Sequence, residues 1–253
     1  MRVDEFRALH AAGTPLVLPN AWDVASATAL ARAGFAAIGT TSLGVAVAHG
    51  LPDGTGATRA ETVALAHRLS GVPALLTVDI EAGFDDPAQV AADLLDAGAV
   101  GINIEDGRAD GTLTPVDVQS ARIAAVKQRS PDLFVNARTD THWLDVDRAR
   151  TLDRLHAYVD AGADGVFVPG LADRNEIASL AAALAVPLNL LYLPGQHTVR
   201  ELADLGVRRI STGSLLFRAA LATTVRTAEA VRDGTPTPHD LPTYAQAQAL
   251  VTG

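Results

Sequence analysis

The chain has 253 residues, 48% apolar and 19% charged, with a formal net charge of −9 and no cysteine. No apolar run approaches the ~20 residues that span a bilayer, and no basic cluster offers the phosphate-neutralising surface that nucleic acids demand. Without cysteine there are no disulfides, no thiolate metal sites and no thiol acid or nucleophile.

Taken in chain order, the first residues, Met1-Arg2-Val3-Asp4-Glu5, are acidic where a secretory leader would be basic and then apolar, so a cytoplasmic location is expected. Strands are expected at 15–19, 36–40, 74–79, 100–105, 133–138, 165–169, 187–191 and 208–212. They are short and almost continuously apolar, as parallel strands buried on both faces are. Helical periodicity fills the gaps, for example at 62–69, 87–97, 115–129, 175–184 and 219–231. A phrase recurs: Ala33-Gly34, Ala97-Gly98, Ala161-Gly162 and Leu205-Gly206 each precede a short apolar strand. Each copy reads as a helix closing on glycine and passing at once into a strand.

Eight such units in one chain of this size favour an α/β fold of the (β/α)8 TIM-barrel type, one domain over 1–253, rather than an open doubly wound sheet. Neither nucleotide-binding glycine motif of the open-sheet folds occurs. The stretch after Thr40 reads as a long Gly-rich loop carrying His49 and Asp53. The proline-rich tail, 234–253, is unable to continue the preceding helix and is expected to pack on the barrel or on a neighbouring subunit.

Active sites of such barrels lie where strands end. The third expected strand ends in Asp79-Ile80-Glu81, the fourth in Asn103-Ile104-Glu105-Asp106 and the fifth in Asn136-Ala137-Arg138-Thr139-Asp140. Carboxylates converging on one barrel mouth repel one another strongly, so a cation is expected among them. Oxygen donors suit Mg²⁺ or Mn²⁺, held directly or through water. For any one acid the alternative is a helix cap or an arginine partner. Arg138, at a strand end, suits recognition of a substrate carboxylate; pairing with the acids is its alternative. Lys127 is the only lysine and falls within an expected helix, which removes a Schiff-base mechanism. What remains is Lewis-acid chemistry, in which a metal polarises a carbonyl and stabilises an enolate.

From Leu16 to Arg138 the sequence resembles the isocitrate lyase and phosphoenolpyruvate mutase superfamily. The matching pieces are Pro19-Asn20-Ala21-Trp22-Asp23, Thr41-Ser42-Leu43-Gly44, Gly50-Leu51-Pro52-Asp53, Asp79-Ile80-Glu81-Ala82-Gly83-Phe84, Ile102-Asn103-Ile104-Glu105-Asp106 and Asn136-Ala137-Arg138-Thr139-Asp140. The resemblance implies that Asp79 and Glu81 occupy the metal motif, with Asp79 the direct ligand, and that Glu105 and Asp53 complete the acidic shell. It further implies a turn at Thr41, Ser42 and Leu43 that holds a substrate carboxylate, contact of Arg138 with substrate, and Asn189 in the pocket wall. A homotetramer with an exchanged C-terminal helix is also implied.

Two departures narrow the reaction. Glu81 stands where the motif has aspartate, and residues 106–113 lack the cysteine-bearing loop of the isocitrate and methylisocitrate lyases. The expected activity is a Mg²⁺-dependent cleavage of a C–C bond in a small 2-oxo acid through an enolate, by oxaloacetate decarboxylation or retro-aldol reaction. Tyr192, His49, His142 or water would deliver the proton. Phosphonopyruvate hydrolase or phosphonomutase chemistry is the enzymatic alternative, and a barrel that binds a 2-oxo acid without turnover is the alternative of another class.

Overall fold

In the computed structural model, which describes residues 2–252, the four glycines of the recurring phrase take the left-handed backbone that ends a helix. Their φ angles are 91° at Gly34, 89° at Gly98, 103° at Gly162 and 92° at Gly206. A side chain there would meet the carbonyl oxygen, so glycine sets the stop. The chain then enters a strand: β3 (Ala37–Thr40), β5 (Gly101–Glu105), β7 (Gly165–Val168) and β9 (Arg209–Ser211) follow these stops. The others are β1 (Leu16–Leu18), β2 (Asn20–Ala21), β4 (Leu75–Asp79), β6 (Phe134–Arg138) and β8 (Leu188–Leu191).

All pairings are parallel, in the order β1-β9-β8-β7-β6-β5-β4-β3-β2. β1 and β2 are one stave. Pro19 between them has no N–H to donate, yet its carbonyl accepts from the Gly39 amide at 2.9 Å. β1 pairs with β9 and β2 with β3, so the ring closes across the proline. The eight expected staves thus form a TIM-type barrel, each within a residue or two of the expected bounds.

The helices are α1 (Arg2–Ala11), α2 (Val24–Arg32), α3 (Ser42–Ala48), α4 (Arg59–Leu69), α5 (Pro87–Asp96), α6 (Val116–Arg129), α7 (Thr151–Asp160), α8 (Arg174–Ala183), α9 (Val199–Asp204), α10 (Leu215–Asp233) and α11 (Tyr244–Thr252). Among the described residues none is long and apolar enough to cross a membrane. Three of them depart from expectation. α3 replaces the first half of the supposed Gly-rich loop: Thr41 caps it, its Oγ1 accepting from the Gly44 amide. α1 escapes the periodicity argument because its buried stripe is only Val3, Phe6 and His10. α11 lies in the tail and packs on α2, where Arg32 donates to the Ala249 carbonyl at 2.7 Å.

Alternation along the staves separates two surfaces. The outward residues, among them Leu76, Val78, Ile102, Ile104 and Val135, pack under the helices in the main apolar core. Inward positions towards the C-terminal ends of the strands are largely polar, among them Thr77, Asp79, Asn103, Asn189 and Arg209, with Asn136 donating to Asn103. The expectation of strands apolar on both faces is therefore corrected, because the barrel interior is a polar cavity wall. Below it, α1 seals the N-terminal mouth: Val3 and Phe6 pack against Leu18, Ala37, Leu75, Val100 and Phe134. Phe6 meets Phe134 edge-on at 5.2 Å, burial that stabilises by about 1.5–3 kcal/mol. The C-terminal mouth stays open.

Candidate active site

A cavity of about 160 Å³ opens at that mouth, room for about five waters at ~30 Å³ each. Its scale suits a small acid rather than a nucleotide. The strand ends supply its polar wall, while Leu191, Phe167 and Trp143 supply apolar surface.

Asp79, the last residue of β4, lines the cavity. Its amide donates to Thr40 Oγ1 at 2.9 Å and its Oδ1 accepts from the Glu81 amide at 3.1 Å. The first fixes the strand end and the second the carboxylate, without neutralising it. Burial pushes its pKa up to about 6, against the pull of Arg138 and with the repulsion of Asp53 and Glu81. Asp53, on the loop after α3, also lines the cavity, and its buried Oδ1 has no hydrogen-bond partner among the described residues.

The other strand-end acids turn elsewhere. Glu81 adopts φ 51°, a left-handed conformation uncommon outside glycine, and breaks the strand alternation. Its buried carboxylate accepts from the Gly56 amide at 2.8 Å and from Thr58 Oγ1 at 2.5 Å. It thereby anchors the loop that carries Asp53. Glu105 Oε2 lies 2.7 Å from Arg138 Nη1, and Asp140 Oδ1 lies 2.6 Å from Arg138 Nε. Burial raises Glu105 well above the usual carboxylate range, opposed by Arg138. Burial alone would lower Arg138; the two carboxylates outweigh it and hold the guanidinium above its ordinary value.

Asp106, fully buried beside Glu105, belongs to the wall. Its carboxylate accepts from Thr139 Oγ1 (2.8 Å), the Asp140 amide (2.8 Å), Arg154 Nε (2.9 Å) and Tyr158 OH (2.6 Å). Four donors leave it no capacity for a ligand. Directly above it, residues 107–113 form a tight hairpin closed by a Gly107–Leu113 bridge and by the Arg108 amide donating to Thr112 O. No residue of 106–113 lines the cavity.

The substrate side is built on β3 and β8. Thr41 N-caps α3, and the amides of Ser42 and Leu43, first in that helix, have no intrahelical acceptor. All three line the cavity, as do Arg138 and Asn189. Asn189 is buried, with both amide atoms unpartnered among the described residues. The cavity therefore brings together Asp53, Asp79, Arg138, Thr41, Ser42, Leu43 and Asn189, while Glu81 and Glu105 stand behind its wall. None of the expected proton donors reaches it: Tyr192, His49 and His142 are absent from its lining. His49 Nδ1 meets the Val45 carbonyl at 2.8 Å, and His142 Nε2 lies 3.0 Å from Glu176 Oε1.

Sequence reasoning missed Asn20, Thr77, Asn103, Arg209 and Ser211, which also line the cavity. Asn20 Oδ1 accepts from the amides of Thr212 (3.0 Å) and Gly213 (2.9 Å), tying the first stave to the last. The signal was a period-two polar residue inside apolar strands, as in Gly101-Ile102-Asn103-Ile104-Glu105.

Oxygen donors alone face the cavity from Asp53 and Asp79, a hard set that suits Mg²⁺ or Mn²⁺. Among the described residues no three carboxylate or imidazole groups converge as a complete ligand set. A hard ion here would keep several waters, as Mg²⁺ commonly does.

Comparison with known proteins gives a consistent picture. The sequence model described as phosphoenolpyruvate phosphomutase matches residues 6–232. An uncharacterized protein of Mycobacterium tuberculosis is 47% identical over 96% of this chain and 95% of its own. The oxaloacetate decarboxylase of Pseudomonas fluorescens is 30% identical over 90% of this chain and 83% of its own. A crystal structure of 2,3-dimethylmalate lyase, described as a PEP mutase/isocitrate lyase superfamily member, superposes with a TM-score of 0.85 at 26% identity, covering 98% of this chain and 94% of that one.

Proposed function

The chain belongs to the phosphoenolpyruvate phosphomutase family, and from that premise we propose that it is a Mg²⁺-dependent lyase cleaving a C–C bond of a small 2-oxo acid, of the oxaloacetate decarboxylase kind. The observation that carries the reading is Asp79: a carboxylate in a desolvated cavity, held by one hydrogen bond from the Glu81 amide and, among the described residues, free of any cationic contact closer than electrostatic range. Asp79 would hold the ion directly. Asp53 would meet it from the opposite loop, with Glu81 and Glu105 acting through that loop and through Arg138.

When bound, the ion supplies Lewis acidity that polarises a 2-oxo group and lowers the cost of the charge developing as the adjacent bond breaks. The first-turn amides of Ser42 and Leu43 receive a substrate carboxylate at the positive end of α3. Arg138, braced on both sides by Glu105 and Asp140, presents its remaining edge to the same substrate. Asn189 donates and accepts at the wall. In decarboxylation the electrons of the breaking bond pass onto the 2-oxo oxygen, CO₂ departs, and one proton returns to carbon. Water delivers that proton, since neither Tyr192, His49 nor His142 lines the cavity. The sealed hairpin at 107–113 leaves the mouth open to water, which this reaction tolerates and a rearrangement with a reactive intermediate does not.

The reading includes action in the cytoplasm and a homo-oligomer in which α10 exchanges between subunits. Phe217 is the only residue of that 19-residue helix that is buried, while Leu221, Val225 and Val231 are exposed. P–C bond chemistry is the second reading, favoured by the family match itself.

A substrate panel with Mg²⁺ tests the proposal: oxaloacetate, substituted malates, citrates and phosphonopyruvate, with pyruvate, CO₂ and phosphate as readouts. Pyruvate and CO₂ from oxaloacetate, or a cleaved malate or citrate, are expected. Phosphate from phosphonopyruvate alone would favour the second reading. Metal-dependent binding without turnover of any compound would make the barrel a 2-oxo-acid binder.

A further inference from the structure

Arg209 opens β9 and shares the inward direction of Ser211 two residues on. Three per cent of its surface is exposed. A guanidinium so deeply buried is ordinarily held by carboxylates or carbonyls on its fork, because an unpaired charge loses its hydration for nothing in return. Here Nε and Nη1 have no hydrogen-bond partner among the described residues. Its register neighbours, Leu16 on β1 and Asn189 on β8, bring no carboxylate. Asp79 acts on it electrostatically, without an ion-pair contact.

Arg209 is also placed at the bottom of the cavity. Following the strand pairing round the ring, with the stagger of about eight residues usual for this barrel, puts Ala37, Gly101, Gly165 and Arg209 in one inward layer. Three members of that layer are small. The layer lies beneath the one containing Thr77 and Asn189 and further beneath the one containing Asp79 and Arg138. The arginine side chain rises from there to line the cavity. Around it the hydrogen-bonding capacity is unused: both amide atoms of Asn189, Ser211 Oγ and Thr77 Oγ1 have no partner among the described residues.

We propose that Arg209, with Asn189 and Ser211, forms an anion subsite on the cavity floor, so that the substrate is a dianion whose second carboxylate seats there. The inference deepens the reading of this cavity as the substrate site and rests on it. The guanidinium offers its charge and unpartnered N–H donors to a carboxylate, Asn189 adds a further donor, and Ser211 a hydroxyl. On that reading a metal ion takes up the charge of Asp79, leaving Arg209 with no counter-charge until the dianion arrives.

Lactate and malate differ by one carboxylate and separate the subsite from the rest of the cavity. Titration calorimetry with Mg²⁺-loaded protein should show malate bound about 10–100-fold more tightly than lactate, the range of one charged hydrogen-bonded contact. Arg209→Met should abolish that preference while leaving lactate affinity within about twofold. It should also raise the melting temperature of the ligand-free protein, because a buried unpaired charge is gone. An unchanged malate-to-lactate ratio in Arg209→Met, or no preference in the wild type, overturns the subsite and leaves Arg209 as a water-solvated core residue. Should Arg209→Met not fold, Arg209→Lys serves: malate affinity alone should fall, and an equal loss for both acids overturns the proposal. Failure of the metal reading is distinguishable, because it would appear as malate binding indifferent to Mg²⁺ and to Asp79→Ala while the preference conferred by Arg209 persists.

Discussion

Asp79 and Asp106 stand at the ends of neighbouring strands and look alike in the sequence, yet the fold gives them opposite work. Asp79 faces the cavity with its charge uncompensated by any direct cation, and burial lifts its pKa to about 6. Asp106 is sealed in the wall under four donors, with Arg154 and Tyr158 closing over it. Its neighbourhood is arranged for permanence: the Tyr158 phenol is held protonated by burial and by the carboxylate it serves. The difference teaches that a strand-end acid is a site candidate only when its partners leave it lone pairs to spare.

The comparison is broken most forcefully by removing each acid in turn. Asp106→Ala should destabilise the fold by about 3–5 kcal/mol, since Arg154 is left buried without its partner. Thermal denaturation would show it, and for a chain of this size each kcal/mol shifts Tm by about 2–4 °C. Asp79→Asn should leave the fold intact and reduce turnover by two to three orders of magnitude, the several kcal/mol that a bound metal supplies to developing charge. If the two variants exchanged phenotypes, the assignment of wall and site would be reversed.

Finer substitutions sharpen the contrast. Glu81→Gln keeps the shape but weakens the grip on Gly56 and Thr58, so the loop bearing Asp53 loosens. Metal affinity should fall about tenfold with melting temperature nearly unchanged, the size expected when a residue only orients a ligand. The smallest effect concerns pH. Because burial raises Asp79 from 3.8 to about 6, the folded metal-free protein binds that proton more readily than the unfolded chain. Its stabilising contribution is full below pH ~4 and is lost as pH rises through about 6. In chelator, Asp79→Asn should accordingly be more stable than wild type at pH 7.5, with the gap closing towards pH 4. A gap that widens on acidification would contradict the raised value.

Much of the barrel could be read from local chemistry. Four helix-to-strand joints announced themselves through glycines at the stop position, and the outward strand residues formed apolar runs that helices had to cover. Less legible were elements held by tertiary contact. α1 buries only Val3, Phe6 and His10, too narrow a stripe for a periodicity argument, and α3 hid behind its glycine and small residues. Within the site, Asp79 and Arg138 were visible as polar strand ends, and the Thr41–Leu43 segment through its resemblance to a turn of the superfamily. The separate fates of Asp79, Glu81, Glu105 and Asp106 were not, because they depend on where each carboxylate turns. The φ of 51° that swings Glu81 out of the strand alternation has no local sequence signature. Arg209 was passed over for a related reason: it starts its strand, whereas attention went to strand ends.

The most direct measurement of the central claim is Mn²⁺ binding followed by electron paramagnetic resonance, with wild type, Asp79→Asn and Asp106→Asn compared at pH 7.5. The expected result is one ion bound per chain by wild type, none retained by Asp79→Asn, and near-normal binding by whatever fraction of Asp106→Asn remains folded. Full Mn²⁺ binding by Asp79→Asn would contradict the assignment of Asp79 as the carboxylate that holds the metal.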